Sequence, residues 1–168
     1  MARHSVSPLS IDSLVMHADV LATIVGDKDS VITGISQDSR NVEPGDILCC
    51  VRGDSFDGHQ FIGEAISRGA VAVLTDEAGL AYCTKVPALV IGDVRTAGGL
   101  VAASLYQYPT RDLTSIGITG TNGKTTVSTL LYQIFEAVGR DTGLIGTVET
   151  RIGAEAIKSS RTTPEASE

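Results

Sequence analysis

The sequence contains no tryptophan and its aromatic content is 4%, so base-stacking platforms and aromatic sugar clamps lack the side chains they need. It has no basic run, and 13 basic against 20 acidic residues give a net charge of −7, which argues against a nucleic-acid or anionic-membrane partner. No stretch approaches the roughly 20 apolar residues that span a bilayer, and the opening MARHSVSPLS lacks the apolar stretch of a signal peptide. These absences imply a soluble, unexported, cytoplasmic chain, expected as a monomer. Cysteine is scarce as well. Cys49 and Cys50 would face opposite sides of a strand, so they are not expected to pair, and with Cys83 they leave an odd number suited to a reducing compartment. No Cys and His spacing suggests a zinc site. Five prolines, 42% hydrophobic and 20% charged residues describe a folded chain with an aliphatic core, and 168 residues make one domain, or one domain and part of another. The expected partners are small molecules.

The first two-thirds alternate strand and helix signals. Ser10 precedes IDSLVMHA, a short amphipathic helix, and VLATIVG, GDKDS and VITGIS read as a hairpin. The EPGD turn at 43–46 leads into ILCCV, too apolar for a strand wet on one face, so it belongs inside a sheet. Residues His59 to Gly69 have helical spacing with Gly69 as the stop, and AVAVLTD then completes a βαβ unit. The strand ALVIG ends at Asp93, a natural N-cap for a helix running through LVAASLYQY to Pro109. This alternation implies a mixed or mainly parallel α/β sheet.

After PTRD the pattern restarts with a strand SIGIT, a turn GTNG and a helix from Lys124 to Val138. Val127, Leu130, Leu131, Ile134, Phe135 and Val138 form the stripe of a helix packed on a sheet. Six such side chains represent roughly 9–18 kcal/mol that depends on a cover. Past Gly139 come a strand around GLIGTVETR, a turn at IGAE, a return strand AIKS and the tail RTTPEASE, too little to cover both sides. The second unit is therefore expected to be incomplete.

The segment with chemistry in it is GITGTNGKTT, Gly117 to Thr126, where an apolar strand runs through glycines into Lys, paired Thr and a helix. Phosphate oxygens need donors, and a glycine turn lets backbone N–H groups converge on them without side-chain clash. Lys124 would meet the outer phosphates of a nucleoside triphosphate, and the Thr125 hydroxyl is placed to ligand Mg²⁺. The strict GxxxxGK[ST] pattern requires Gly at 118, where this chain has Ile118.

With that departure, GTNGKTT resembles the ATP-binding loop of the Mur ligase family. Upstream, DSRNVEPGDILCCVRGDSFDGHQFIGEAISRGAVAVL resembles the family's N-terminal domain, and DSR, GTVETRI and TTPEAS together are most similar to its MurE type. The resemblance covers about Ile32 to Glu168. It implies an α/β fold: an N-terminal mixed α/β UDP-substrate domain over 1–92, then from 93 a connecting helix and a truncated start of the P-loop central domain, with the boundary between 92 and 112. It implies an ATP- and Mg²⁺-dependent ligase that adds a third amino acid, diaminopimelate or lysine, to UDP-N-acetylmuramoyl-L-alanyl-D-glutamate through an acyl phosphate, for peptidoglycan precursors. Carried over by position, Gly120, Thr121, Asn122, Gly123, Lys124, Thr125 and Thr126 would contact ATP, with Lys124 catalytic and Thr125 on the metal. Ser39, with Gln37 beside it, would meet the uridine end of the substrate, Asp54, Ser55 and Phe56 would form the next uridine-proximal loop, and Thr162 and Thr163 would contact the muramoyl part. Arg161 stands where the family often has Asn.

The nucleotide loop alone is shared with the MurF type and with folate and cyanophycin ligases, and a non-catalytic UDP-sugar-binding module is the alternative from another class. The family's remaining catalytic elements are not in these 168 residues, so the chain alone is expected not to turn over. His59 in DGHQ is read as a capping or packing residue, Cys49 and Cys50 as core, and Asp38 and Arg40 as a local pair that holds the loop around Ser39.

Overall fold

The computed structural model describes residues 6–53, 57–153 and 155–158. The chain divides into two compact units at the Arg111–Asp112 junction.

The first unit is built on a five-stranded sheet. Its strands are β2 (Thr23–Val25), β4 (Gly34–Ser36), β5 (Asp46–Cys49), β6 (Ala72–Thr75) and β7 (Ala88–Val90), in the spatial order β2-β7-β6-β5-β4. Neighbours from β4 to β7 are parallel, and β2 is antiparallel on the β7 edge. A separate short pair joins β1 (Leu9–Ser10) to β3 (Val31–Ile32). The ILCCV run is central, as its apolar character requires: both faces of β5 are covered.

Strand periodicity sorts the side chains. Ile47, Cys49, Ala72, Leu74 and Leu89 face α1 (Ile11–Ala18) and α3 (Val94–Leu105), where Leu14, Val101 and Leu105 complete the larger core. Leu48, Cys50 and Val73 face the other way, onto Ile62 and Ala65 of α2 (Ile62–Ser67). Cys49 and Cys50 thus lie in different cores, and no disulfide joins the three cysteines. Burial pushes the Cys50 thiol up to about 12, with Cys49 and Asp57 adding to the effect, and burial raises Cys83 to about 11.

Helix ends obey the sequence signals. The Ser10 hydroxyl accepts from the Ser13 N–H at 3.2 Å, and the Asp93 carboxylate accepts from the Thr96 N–H at 3.0 Å. Helix α2 starts later than His59, because Gly58–Phe61 form a 3₁₀ turn, and Gly69 comes just after its end at φ +108°. Helix α3 packs on α1 and in the larger core, so it belongs to the first unit. Beyond it, Tyr108 donates its hydroxyl proton to the His17 carbonyl, and the Arg111 guanidinium lies 4.2 Å over the Tyr108 ring.

The expected hairpin does not form. β2 pairs with β7 and β3 with β1, while the turn between them is engaged elsewhere: the Ile11 and Asp12 amides of α1 donate to the carbonyls of Ser30 and Lys28. Two helix-start amides in need of acceptors and an open strand edge outcompete a local pairing.

The second unit holds α4 (Lys124–Ala137) and an antiparallel meander, β8 (Gly143–Ile145), β9 (Glu149–Ile152) and β10 (Glu155–Lys158), with β9 in the middle. GLIGTVETR is therefore two strands with a turn at Gly146, not one. SIGIT, expected as a strand, pairs with no other strand among the described residues, and a strand exists only through its ladder. The apolar stripe of α4 is also largely uncovered. Val127, Leu130, Ile134 and Val138 are exposed and Leu131 and Phe135 half-buried, whereas Tyr132, outside the expected stripe, is buried with its hydroxyl donating to the Gly153 carbonyl at 3.1 Å. The helix touches the meander through this neighbouring face, where the Arg151 guanidinium of β9 also lies 5.6 Å from the centre of the Tyr132 ring.

Packing and thiol burial each yield an expected outcome. Ile47→Ala, in the doubly covered strand, should cost about 2–5 kcal/mol in urea unfolding of the first unit, whereas Ile134→Ser should shift stability by no more than about 0.5 kcal/mol. Cys50 and Cys83 should resist iodoacetamide at pH 8 in the native protein and react on unfolding, read by mass spectrometry, because a raised pKa leaves little thiolate there.

Candidate functional site

The glycine loop of the second unit begins where the SIGIT segment ends. Gly120 has φ +151° and Gly123 φ +78°, values that side-chain-bearing residues rarely adopt, and Gly123 is the N-cap of α4. No side chain caps this helix, so its first amides, from Lys124 onward, are not satisfied by a capping oxygen and face the loop. The Lys124 ammonium folds back to donate to the Gly120 carbonyl at 2.5 Å, spanning the loop. Residues 119–127 are exposed, so nothing among the described residues screens this end of the helix. Uncapped amides, the positive end of a 14-residue helix and a cation on one loop are groups of the kind that suit the phosphates of a nucleotide. Thr125, next on the helix, has a hydroxyl of the kind that ligates a metal ion held by those phosphates. The structure thus brings Gly120 to Thr126 together as one loop and helix start.

The first unit offers a different surface. Because β4 to β7 run parallel, the segments after Ser36, Cys49, Thr75 and Val90 all leave the sheet at one edge, where open α/β sheets bind ligands. Ser39 and Gln37 are in the first of these segments, but their side chains part. Ser39, 6% exposed, donates its hydroxyl proton to Glu64 Oε2 at 2.8 Å on the α2 side. Gln37 Nε2 instead comes within 3.9 Å of Cys49 Sγ, in the core under α3. Glu64 is in turn held by Arg68 Nε at 3.2 Å, and Arg68 donates to the Arg40 carbonyl at 3.2 Å.

Arg40 and Asp38 form the expected local pair, with Arg40 Nη2 donating to Asp38 Oδ2 at 2.6 Å and Nε to Oδ1 at 2.9 Å. That carboxylate raises the Arg40 guanidinium pKa further above its ordinary value. Glu64, 25 residues from Ser39, had no local signal to mark it as the partner. His59 is buried as a packing residue should be, yet its ring lies between two carboxylates, Asp57 two residues before it and Asp76, which no sequence spacing indicates. Asp54, Ser55, Phe56, Arg161, Thr162 and Thr163 lie outside the described residues. Among the described residues no group of three or more His, Cys, Asp or Glu suits a metal ion, and no helix is long and apolar enough to cross a membrane.

Comparison with known proteins assigns both units to one family. The Mur ligase family, catalytic domain, matches residues 31–103, and the Mur ligase middle domain matches residues 118–168. A UDP-N-acetylmuramoyl-L-alanyl-D-glutamate--2,6-diaminopimelate ligase of Streptomyces avermitilis is 51% identical over 144 residues, covering 84% of this chain and 28% of that protein. The ligase of the same name from Streptomyces coelicolor is 48% identical over 162 residues, covering 95% and 32%. The chain therefore spans about a third of the length of these curated relatives. A solved structure of a UDP-N-acetylmuramoyl-L-alanyl-D-glutamate--2,6-diaminopimelate ligase aligns at a TM-score of 0.65 and 24% identity, over 95% of this chain and 32% of that one. MurF from Acinetobacter baumannii aligns at 0.61 and 24%, over 79% and 28%, and both show the shared fold. With both units matched in order and identities near one-half to ligases of a single kind, this chain belongs to the Mur ligase family.

Proposed function

We propose that this chain carries the UDP-substrate and nucleotide-loop portions of an ATP-dependent ligase that adds diaminopimelate to UDP-N-acetylmuramoyl-L-alanyl-D-glutamate for peptidoglycan synthesis. The names of the relatives at 51% and 48% identity support diaminopimelate over lysine as the third amino acid. The observation that carries the reading is the uncapped start of α4 behind two positive-φ glycines, with Lys124 already bridged to Gly120.

In this reading residues 112–168 hold ATP. The amides from Gly120 to Thr126 receive phosphate oxygens, and Lys124 exchanges its Gly120 carbonyl for the outer phosphates, placing positive charge where negative charge develops as a phosphoryl group moves to the substrate carboxylate. Thr125 is the residue of this loop that would ligate Mg²⁺, whose contribution is to neutralise phosphate charge. The exchange at Lys124 costs little, because the carbonyl it gives up is exposed and can turn to water.

Residues up to Arg111 hold the UDP end. The Ser39 hydroxyl spends its one donor on Glu64, so its oxygen lone pairs remain to accept from a ligand N–H or O–H. Gln37, Asp54, Ser55 and Phe56 are assigned to the same end, and Thr162 and Thr163 to the muramoyl part, on the resemblance. The likeness of the whole chain to its relatives supports a cytoplasmic enzyme acting on soluble nucleotide precursors.

Titration calorimetry with Mg²⁺-ATP tests this. Lys124→Ala should weaken ATP by about 10- to 100-fold, the 1.5–3 kcal/mol range of a hydrogen bond to a charged group, and leave UDP-N-acetylmuramoyl-L-alanyl-D-glutamate affinity unchanged. Protein that binds the UDP-substrate but ignores Mg²⁺-ATP would instead be a non-catalytic binding module, and the ligase reading would fall.

A further inference from the structure

The last turn before the Arg111–Asp112 junction takes a backbone path that its residues resist. Helix α3 ends at Leu105, with Tyr106 as its C-cap. Gln107 then has φ +60° and Tyr108 φ +54°, two side-chain-bearing residues in succession in the left-handed region that favours glycine. The helix end explains the first. The Gln107 N–H donates to the Ser104 carbonyl at 2.9 Å and the Tyr108 N–H to the Ala103 carbonyl at 2.6 Å, the paired closure that places one left-handed residue just past a C-cap. That closure asks nothing of φ at Tyr108, and Pro109 works against it, because a residue before proline is pushed towards extended conformations.

What holds Tyr108 there comes mostly from outside the turn. Its hydroxyl donates to the carbonyl of His17, 91 residues away in the last turn of α1, where helix carbonyls lack partners within the helix. Its ring is covered by the Arg111 guanidinium, 4.2 Å from the centroid, and its carbonyl accepts the Arg111 N–H at 2.9 Å across the 3₁₀ turn Pro109–Arg111. An unfavourable local conformation persists only where surrounding contacts hold it, and here those contacts are few and near the surface, so the turn has a second state within reach. Past Arg111, residues 112–123 form no helix or strand and nearly all are exposed. The turn therefore stands where the chain leaves the first unit.

We propose that Tyr108–Arg111 is a strained latch at the exit of the first unit. Closed, it pins the chain to the end of α1 and starts the connection to the second unit at Asp112. Open, Tyr108 relaxes to the extended conformation that Pro109 favours, its hydroxyl and the His17 carbonyl turn to water, and Tyr108–Arg111 join the connection. Rotation about the Tyr108 N–Cα bond leaves its own N–H in place, so the helix cap survives opening and the Arg111 N–H loses its acceptor. In a chain whose two units hold the two reactants of one transfer, the reading proposed above, the latch sets the point from which the second unit is tethered and the reach of that tether. The latch itself does not need that reading.

Two conservative variants push the latch in opposite directions. Tyr108→Phe keeps the ring and its Arg111 contact but removes the hydroxyl, which favours the open state. Pro109→Ala removes the clash that Tyr108 resists, which favours the closed state. Amide hydrogen exchange of the full chain, followed residue by residue by NMR, should quicken at Arg111 by about 2- to 10-fold in Tyr108→Phe, the range of one net hydrogen bond. It should slow there by about twofold or more in Pro109→Ala, with the cap amides at 107 and 108 and the amides of β5 and β6 unchanged in both. Trypsin at limiting dose should cut after Arg111 faster in Tyr108→Phe and slower in Pro109→Ala, with the bond after Arg95, within α3, as the unchanged reference. Unchanged Arg111 exchange in Tyr108→Phe, or faster exchange in Pro109→Ala, overturns the latch and leaves an ordinary helix end stiffened by its proline. Quickening that spreads through α3 overturns it as well, because the first unit as a whole would then be loosened. Should Tyr108→Phe not fold, Pro109→Ala decides by itself. Neither measurement contains ATP or UDP-substrate, so its outcome stands apart from that of the proposed ligase function.

Discussion

The parallel ladder from β4 to β7 is the constraint on which the first unit depends. Parallel strands cannot be joined by tight turns, so each crossover must leave the far edge and return over a face. That requirement puts α2 on one side and α3 on the other, buries β5 on both faces, and gathers the segments after Ser36, Cys49, Thr75 and Val90 along a single edge. The segment that bears Gln37 and Ser39, and those that bring Asp57 and Asp76 to His59, meet there because the ladder delivers them to the same place.

The second unit works by a different device. Its α4 begins on a positive-φ glycine with no side-chain cap, an arrangement that leaves main-chain donors uncapped at a surface. A helix ordinarily covers those donors with Ser, Thr, Asn or Asp, and forgoing the cap sacrifices about 1 kcal/mol that a bound anion can return. The Lys124 contact to Gly120 holds the loop in the meantime with a bond that is easily exchanged. The exposed stripe at Val127, Leu130, Ile134 and Val138 tells the same story from packing: this helix meets the meander through Tyr132 and leaves its most apolar side open.

Much of the architecture is legible because it is local. The cap at Ser10, the cap at Asp93, the stop at Gly69, the buried run ILCCV and the glycine turn before Lys124 each depend on backbone chemistry within a few residues, and each is found where the sequence puts it. The opposite orientations of Cys49 and Cys50 come from strand geometry alone. The hairpin signal misleads because β2 and β3 prefer partners far away, β7 at the sheet edge and β1 beside the start of α1. SIGIT has strand composition but no ladder, and composition cannot supply a neighbour.

The sequence by itself determined the local form of Gly120 to Thr126, on which the proposed phosphate site rests, since glycine conformation, a helix start and a lysine side chain all act within one turn. It also determined the Asp38–Arg40 pair, two residues apart and bidentate. Only the tertiary structure decided that the Ser39 hydroxyl donates to Glu64, that Gln37 turns to the other core, and that Asp76 comes to Nε2 of His59. Those contacts join segments held in register by the sheet, and the distance between two side chains across a sheet edge is set by strand order and crossover path, which no spacing along the chain encodes.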